Sequence, residues 1–113
     1  MEFHGPARYA HQLLFQTIDS LATGPGDVRA RLLVAYETFH PLTPAHFPVH
    51  LREDFEWVIA HLTKNEPRLN CEGFVQKSSV QVSLKRMRNS TGVKIAETLL
   101  RLHYAIDAYV NPR

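Results

Sequence analysis

Seven histidines, His4, His11, His40, His46, His50, His61 and His103, supply most of the versatile chemistry in this 113-residue sequence. Imidazole titrates near neutral pH and is the commonest metal ligand. His46 and His50 stand four residues apart, and Glu53 and Asp54 follow within helical reach. A zinc or two-metal site needs at least three ligands converging on one ion at about 2.0–2.2 Å. Pro48 lies between the two histidines, so they do not share one helical face. There is no HExxH, and no pair of Glu-x-x-His motifs of the di-iron type. The histidines therefore read as surface and half-buried side chains, with no metal ligands and no cofactor.

A second constellation is His50, Asp54, Trp57 and His61. On a helix these residues fall within about 60° of one another. His50 beside Asp54 would have its ring oriented and its pKa raised, which suits acid–base work. No nucleophile or second acid joins them, and tryptophan is enriched at binding hot spots. The set is thus a candidate protein interface, against the plain alternative of a surface pair beside an edge tryptophan. Cys71 is followed by Glu72, which should raise its thiol pKa and leave it unreactive. Gly24-Pro25-Gly26 lacks the lysine and the preceding strand of a phosphate loop. His103 falls in an apolar sector and reads as a core histidine. No catalytic residue is expected, and the chain is read as a non-enzyme.

Charge is distributed unevenly. Residues 1–75 carry six Lys/Arg and nine Asp/Glu, whereas residues 76–101 carry six Lys/Arg and Glu97 alone. Lys77, Lys85, Arg86, Arg88 and Lys94 form a candidate anion or nucleic-acid patch. A Ser/Thr-capped helix N-terminus at Ser90 or Thr91 would add amide groups and a positive dipole end. Two helices joined by a short break there resemble a helix-turn-helix in outline. A solvated basic face is the commoner explanation of such a run.

The elements that must position these groups are helical. Residues 6–23 repeat Ala10, Leu14, Ile18 and Leu21 on one face, and Gly24-Pro25-Gly26 ends the segment. Asp27 is the expected N-cap of a second helix with Val28, Leu32, Ala35 and Phe39 inside, stopped by Pro41. The short connection predicts an antiparallel helical hairpin. Residues 41–48 hold three prolines and read as a stiff link anchored by Phe47, with a turn begun at Thr43-Pro44. A third helix follows over 49–64 on Leu51, Phe55, Val58, Ile59 and Leu62. Residues 65–75 read as an irregular loop. Ser78 or Ser79 caps a short helix to Met87, with a strand over 76–84 as the alternative, disfavoured because it would have no partner. Asn89-Ser90-Thr91-Gly92 reads as a break before a last helix over 92–109. There Ile95, Leu99, Leu102, Ile106 and Val110 form a stripe, widened by Ala96, Leu100 and His103 to a sector of about 160°. Glu97 and Arg101 are spaced for an exposed ion pair.

These readings give an all-α fold, a compact bundle of four to five helices with an N-terminal helical hairpin and a long central C-terminal helix. Length allows one helical domain over residues 1–113. A single cysteine suits a reducing compartment. The N-terminus does not read as a signal peptide, and no run approaches the ~20 apolar residues of a membrane span. Cytoplasmic location and no membrane partner are the expectations. The expected function is that of a small non-enzymatic interaction or accessory protein that associates with a protein partner or a second copy of itself, as a homodimer. The alternative is a nucleic-acid-binding protein using residues 77–101.

Overall fold

The computed structural model describes residues 4–112. Residues 1–3 and 113 lie outside the described part, and with them the charges of Glu2 and Arg113 and the start of the segment read against a signal peptide. The expected all-α bundle is present, with five helices and one small hairpin.

α1, Gly5–Thr23, buries Ala7, Ala10, Leu14 and Thr17. Its inner face is turned slightly from the one expected, for Ile18 and Leu21 are only half-buried. Thr17 takes part because its hydroxyl donates to the Leu13 carbonyl at 2.8 Å, which satisfies it inside the core. At the turn after α1, a Cβ on Gly24 would stand 2.6 Å from the Ser20 carbonyl oxygen, so no larger residue fits there unchanged. Asp27 caps α2, Val28–Phe39, by accepting from the Ala30 amide at 3.0 Å. That bond, followed by Arg29, holds the Asp27 carboxyl below its ordinary pKa. α1 and α2 pack together as the expected hairpin.

The proline-rich link makes one 3-10 turn, Pro44–His46, and then buries Phe47, which stacks on Phe55 with ring centres 4.5 Å apart. α3, Val49–Leu62, buries Leu51, Phe55, Val58 and Leu62, with Ile59 half-buried beside them.

The loop expected over 65–75 is in fact mostly a β-hairpin. β1, Arg68–Leu69, pairs antiparallel with β2, Val75–Lys77. A strand here does have a partner, six residues earlier. The Asn70 side chain accepts from the Glu72 and Phe74 amides at 2.9 and 3.0 Å, and Gly73 adopts φ 86°. An Asn that closes the turn and a Gly in the left-handed region build a hairpin that no hydrophobic periodicity announces.

Ser78 caps α4, Ser79–Arg86, through a reciprocal pair of bonds with Gln81. α5, Asn89–Val110, begins earlier than expected. Arg88 is its N-cap, with no side-chain bond, so neither Ser90 nor Thr91 caps it. Gly92, read as a breaker, lies buried within the helix: a Cβ there would come 3.0 Å from Val28 Cγ1. The glycine serves close approach of α5 to α2. α5 packs on α1, α2 and α3, whereas α4 packs chiefly on α2 and α3, so α4 and α5 do not form a helix-turn-helix unit. Among the described residues no helix is long and apolar enough to cross a membrane.

Phe47 is the side chain that ties the proline link to the core. Phe47→Ala should cost about 3–5 kcal/mol of unfolding free energy, the usual loss for a buried aromatic. Urea denaturation measures it, and a loss under about 1 kcal/mol would show that the link is held otherwise.

Candidate functional site

The cationic side chains divide into two groups by what they touch. In the first half of the chain, arginines donate to backbone carbonyls near element ends. Arg8 reaches Val110, Arg29 reaches Met87, Arg31 reaches Leu21 and Gly26, and Arg52 reaches Phe47, at 3.0–3.3 Å. Such carbonyls lack intrahelical partners, and these bonds satisfy them. Lys64, Arg68, Lys77, Lys85, Arg86 and Arg88 make no side-chain hydrogen bond or ion pair with any described residue.

These six cations gather at one end of the molecule, in two adjoining clefts. One is lined by His61, Lys64, Asn65, Ser83, Arg86, Met87, Arg88 and Thr91. The other is lined by Lys64, Asn65, Glu66, Pro67, Arg68, Lys77, Val82, Lys85 and Arg86. Glu66 is the only acidic residue in either lining. A pair of serines on α4 sets the geometry. Ser83 Oγ accepts from the Asn65 amide at 2.9 Å, and Ser79 Oγ donates to the Asn65 carbonyl. Both polar groups of Asn65's backbone are thus held by residues four apart on one helix, which brings Lys64 alongside Arg86. On the far side, Arg29 grips both Asp27 and the Met87 carbonyl and so fixes the turn between α4 and α5. Within the hairpin Arg68 lies directly opposite Lys77. Like charges facing across a strand pair repel, and no described carboxylate pairs with either one.

The structure redistributes the residues singled out in the sequence. Lys77, Lys85, Arg86 and Arg88 line the two adjoining clefts, and Lys64 and Arg68 join them from the part of the chain that is net acidic. Lys94 does not join them. It lines a groove between α3 and α5 with Asp54, Trp57, Glu97, Thr98 and Arg101. The third-helix set does not converge on one site, although Trp57 and His61 stay in contact. His50 lies near Tyr109, ring centres 6.3 Å apart, in a groove that also holds His4 and His46. Asp54 and Trp57 face α5. His61 opens on the basic cleft, its Nδ1–H donating to the Trp57 carbonyl at 2.9 Å and its ring 4.1 Å from the Trp57 ring. His50 and Asp54 form no bond with each other, and Glu97 does not pair with Arg101, which donates instead to Thr98 at 3.3 Å. No described group of three or more His, Cys, Asp or Glu is placed to hold a metal ion.

A separate surface runs along α1 and α5. Phe15 is 62% exposed and Tyr104 65%, with Leu100 and His103 beside them. His11 Nε2–H donates to Asp107 at 2.9 Å and stacks on His103, ring centres 5.8 Å apart. His103 Nδ1 is buried with no hydrogen-bond partner among the described residues. Comparison with protein-family models, curated proteins and solved structures finds no match to this chain.

Burial, then the neighbouring His11, lowers the His103 pKa, against a smaller opposing pull from Asp107. The folded chain therefore favours neutral His103, and the unfolded chain binds the extra proton. This contribution to stability is complete above the ordinary histidine value of 6.5 and is lost as pH falls below it. Urea midpoints should drop between pH 7.5 and 5, and His103→Leu should show a smaller drop. Equal drops in the two proteins would remove His103 from the account.

Proposed function

We propose that this chain is a non-enzymatic binding protein whose basic end holds a strand of nucleic acid. The observation that carries the reading is the set of six cations, unpaired among the described residues, around the end of α3, the hairpin and the end of α4. Arg8, Arg29, Arg31 and Arg52 are tied to carbonyls. Here the fold leaves the charges open and sets Arg68 against Lys77, an arrangement that a phosphate between them would relieve. Six cations spread over two adjoining clefts, with Glu66 the one carboxylate in their linings, suit a repeating polyanion rather than a single small anion. The acidic residues of α3, Glu53, Asp54 and Glu56, lie outside both clefts.

Titration of labelled DNA and RNA at low salt tests the reading. About four phosphate contacts give a slope of log K against log salt near −2.8 on a single strand, from ~0.7 per contact, or near −3.6 on a duplex, from ~0.9. Replacing Lys85, Arg86 and Arg88 together by Ala should weaken binding and bring the slope toward −1. The helical spectrum should stay the same, since all three are exposed. No binding at tens of micromolar protein would retire the nucleic-acid reading.

A second reading, self-association, is favoured by the exposed Phe15, Leu100 and Tyr104 on the α1–α5 face. The wide apolar sector of α5 is only partly used by the bundle, and the surplus can meet a second copy. Light scattering on a gel-filtration column should show a dimer mass that falls to monomer in the Phe15→Ser, Tyr104→Ser double variant. A monomer mass for the unaltered protein at micromolar concentration would dismiss the dimer.

A further inference from the structure

We propose that the β1–β2 hairpin is a recognition arm for unpaired nucleotides, with Phe74 the platform on which a base stacks. The inference rests on the nucleic-acid reading above and says which form of nucleic acid the cleft takes. Every residue from 66 to 76 is exposed, so the arm gives nothing to the core. Yet it carries three large apolar side chains, Leu69, Phe74 and Val75, exposed by 54%, 68% and 62%. Apolar surface displayed by an element with no packing role marks a contact surface.

The chemistry of the arm names the contact. The hairpin that carries the apolar groups also places Arg68 and Lys77 opposite each other, and both line the second cleft. An apolar protein groove would have to desolvate that cation pair without neutralising it. A nucleotide brings a phosphate for the cations and a flat face for the ring. Base–aromatic stacking with cations along the backbone is the pattern of single-strand binders. In a duplex the faces are covered by neighbouring base pairs, so a protruding phenylalanine meets only unpaired bases. The turn is held for this purpose: Asn70 accepts from two amides, its own amide donates to the Phe74 carbonyl at 2.8 Å, and Gly73 takes the left-handed conformation. The ring is thereby presented on a braced loop, which limits the entropy lost on binding.

Fluorescence anisotropy with a labelled single strand of about twelve nucleotides, and with the same sequence as a duplex, tests the proposal at low salt. The single strand should bind more tightly than the duplex. Phe74→Ala should weaken single-strand binding by about 5-fold to about 150-fold, the range for one lost base stack, with the salt slope unchanged. Phe74→Trp should restore affinity, and its indole emission should be quenched on binding. Phe74 packs on nothing in the core, so circular dichroism and urea midpoints should be unaltered in both variants. Binding by the unaltered protein that Phe74→Ala leaves within twofold, or that prefers the duplex, overturns the arm while sparing the basic cleft. No binding by the unaltered protein to either probe retires the cleft reading, and the arm with it.

Discussion

The burial of one face of α5 governs where the other helices lie. Ile95, Leu99, Leu102, Ile106 and Val110 are all buried on it, and each contributes about 1.5–3 kcal/mol when fully removed from water. A face this long cannot be covered by one neighbour, so α1, α2 and α3 gather around it. Gly92 lets the first turn of α5 close on Val28 and Leu32. That contact brings the start of α2 to the turn between α4 and α5, where Arg29 reaches the Met87 carbonyl. α4 is then held between α2 and α3, and its two serines draw the chain after α3 against it. The basic cleft is a consequence of this closure.

The same closure explains why charge is employed so differently along the chain. Where a helix end meets another element, its last carbonyls lose access to water and need donors. Arg8, Arg29, Arg31 and Arg52 supply them and are thereby engaged. The end built from α3, the hairpin and α4 leaves Lys64, Arg68, Lys77, Lys85, Arg86 and Arg88 without partners among the described residues. Repulsion among them is a standing cost, tolerable because all but Lys77, which is half-buried, are exposed and screened by salt. The cost is smallest when an anion is present, which is why the arrangement reads as a binding end rather than as packing.

Periodicity made the helices legible. The Asp27 and Ser78 caps, the Gly24-Pro25-Gly26 turn, the proline link with Phe47 inside it and the long stripe of α5 are local patterns, and the structure has each of them. The hairpin was illegible because its strands are two and three residues long and entirely exposed or nearly so, leaving no alternation to read. The start of α5 was misplaced because glycine signals a helix end only when nothing presses on it. At residue 92 another helix does. The site was legible only in half. The run from Lys77 to Arg88 shows itself as a charge block, but Lys64 and Arg68 were hidden in a segment whose total is acidic, and Ser79, Asn65 and Ser83 carry no charge at all.

The sequence by itself determined the all-α class, the N-terminal helical hairpin with its Asp27 cap and most of the apolar side chains of the core. Those depend on local propensity, capping and a burial period that each segment carries within itself. Only the tertiary structure decided which cations face one another, that His61 belongs with the basic cleft, and that Lys94 belongs with Asp54 and Trp57. Helical spacing specifies a direction around one axis. What lies in that direction depends on how the axes are placed, and they are placed by contacts between residues far apart in the chain.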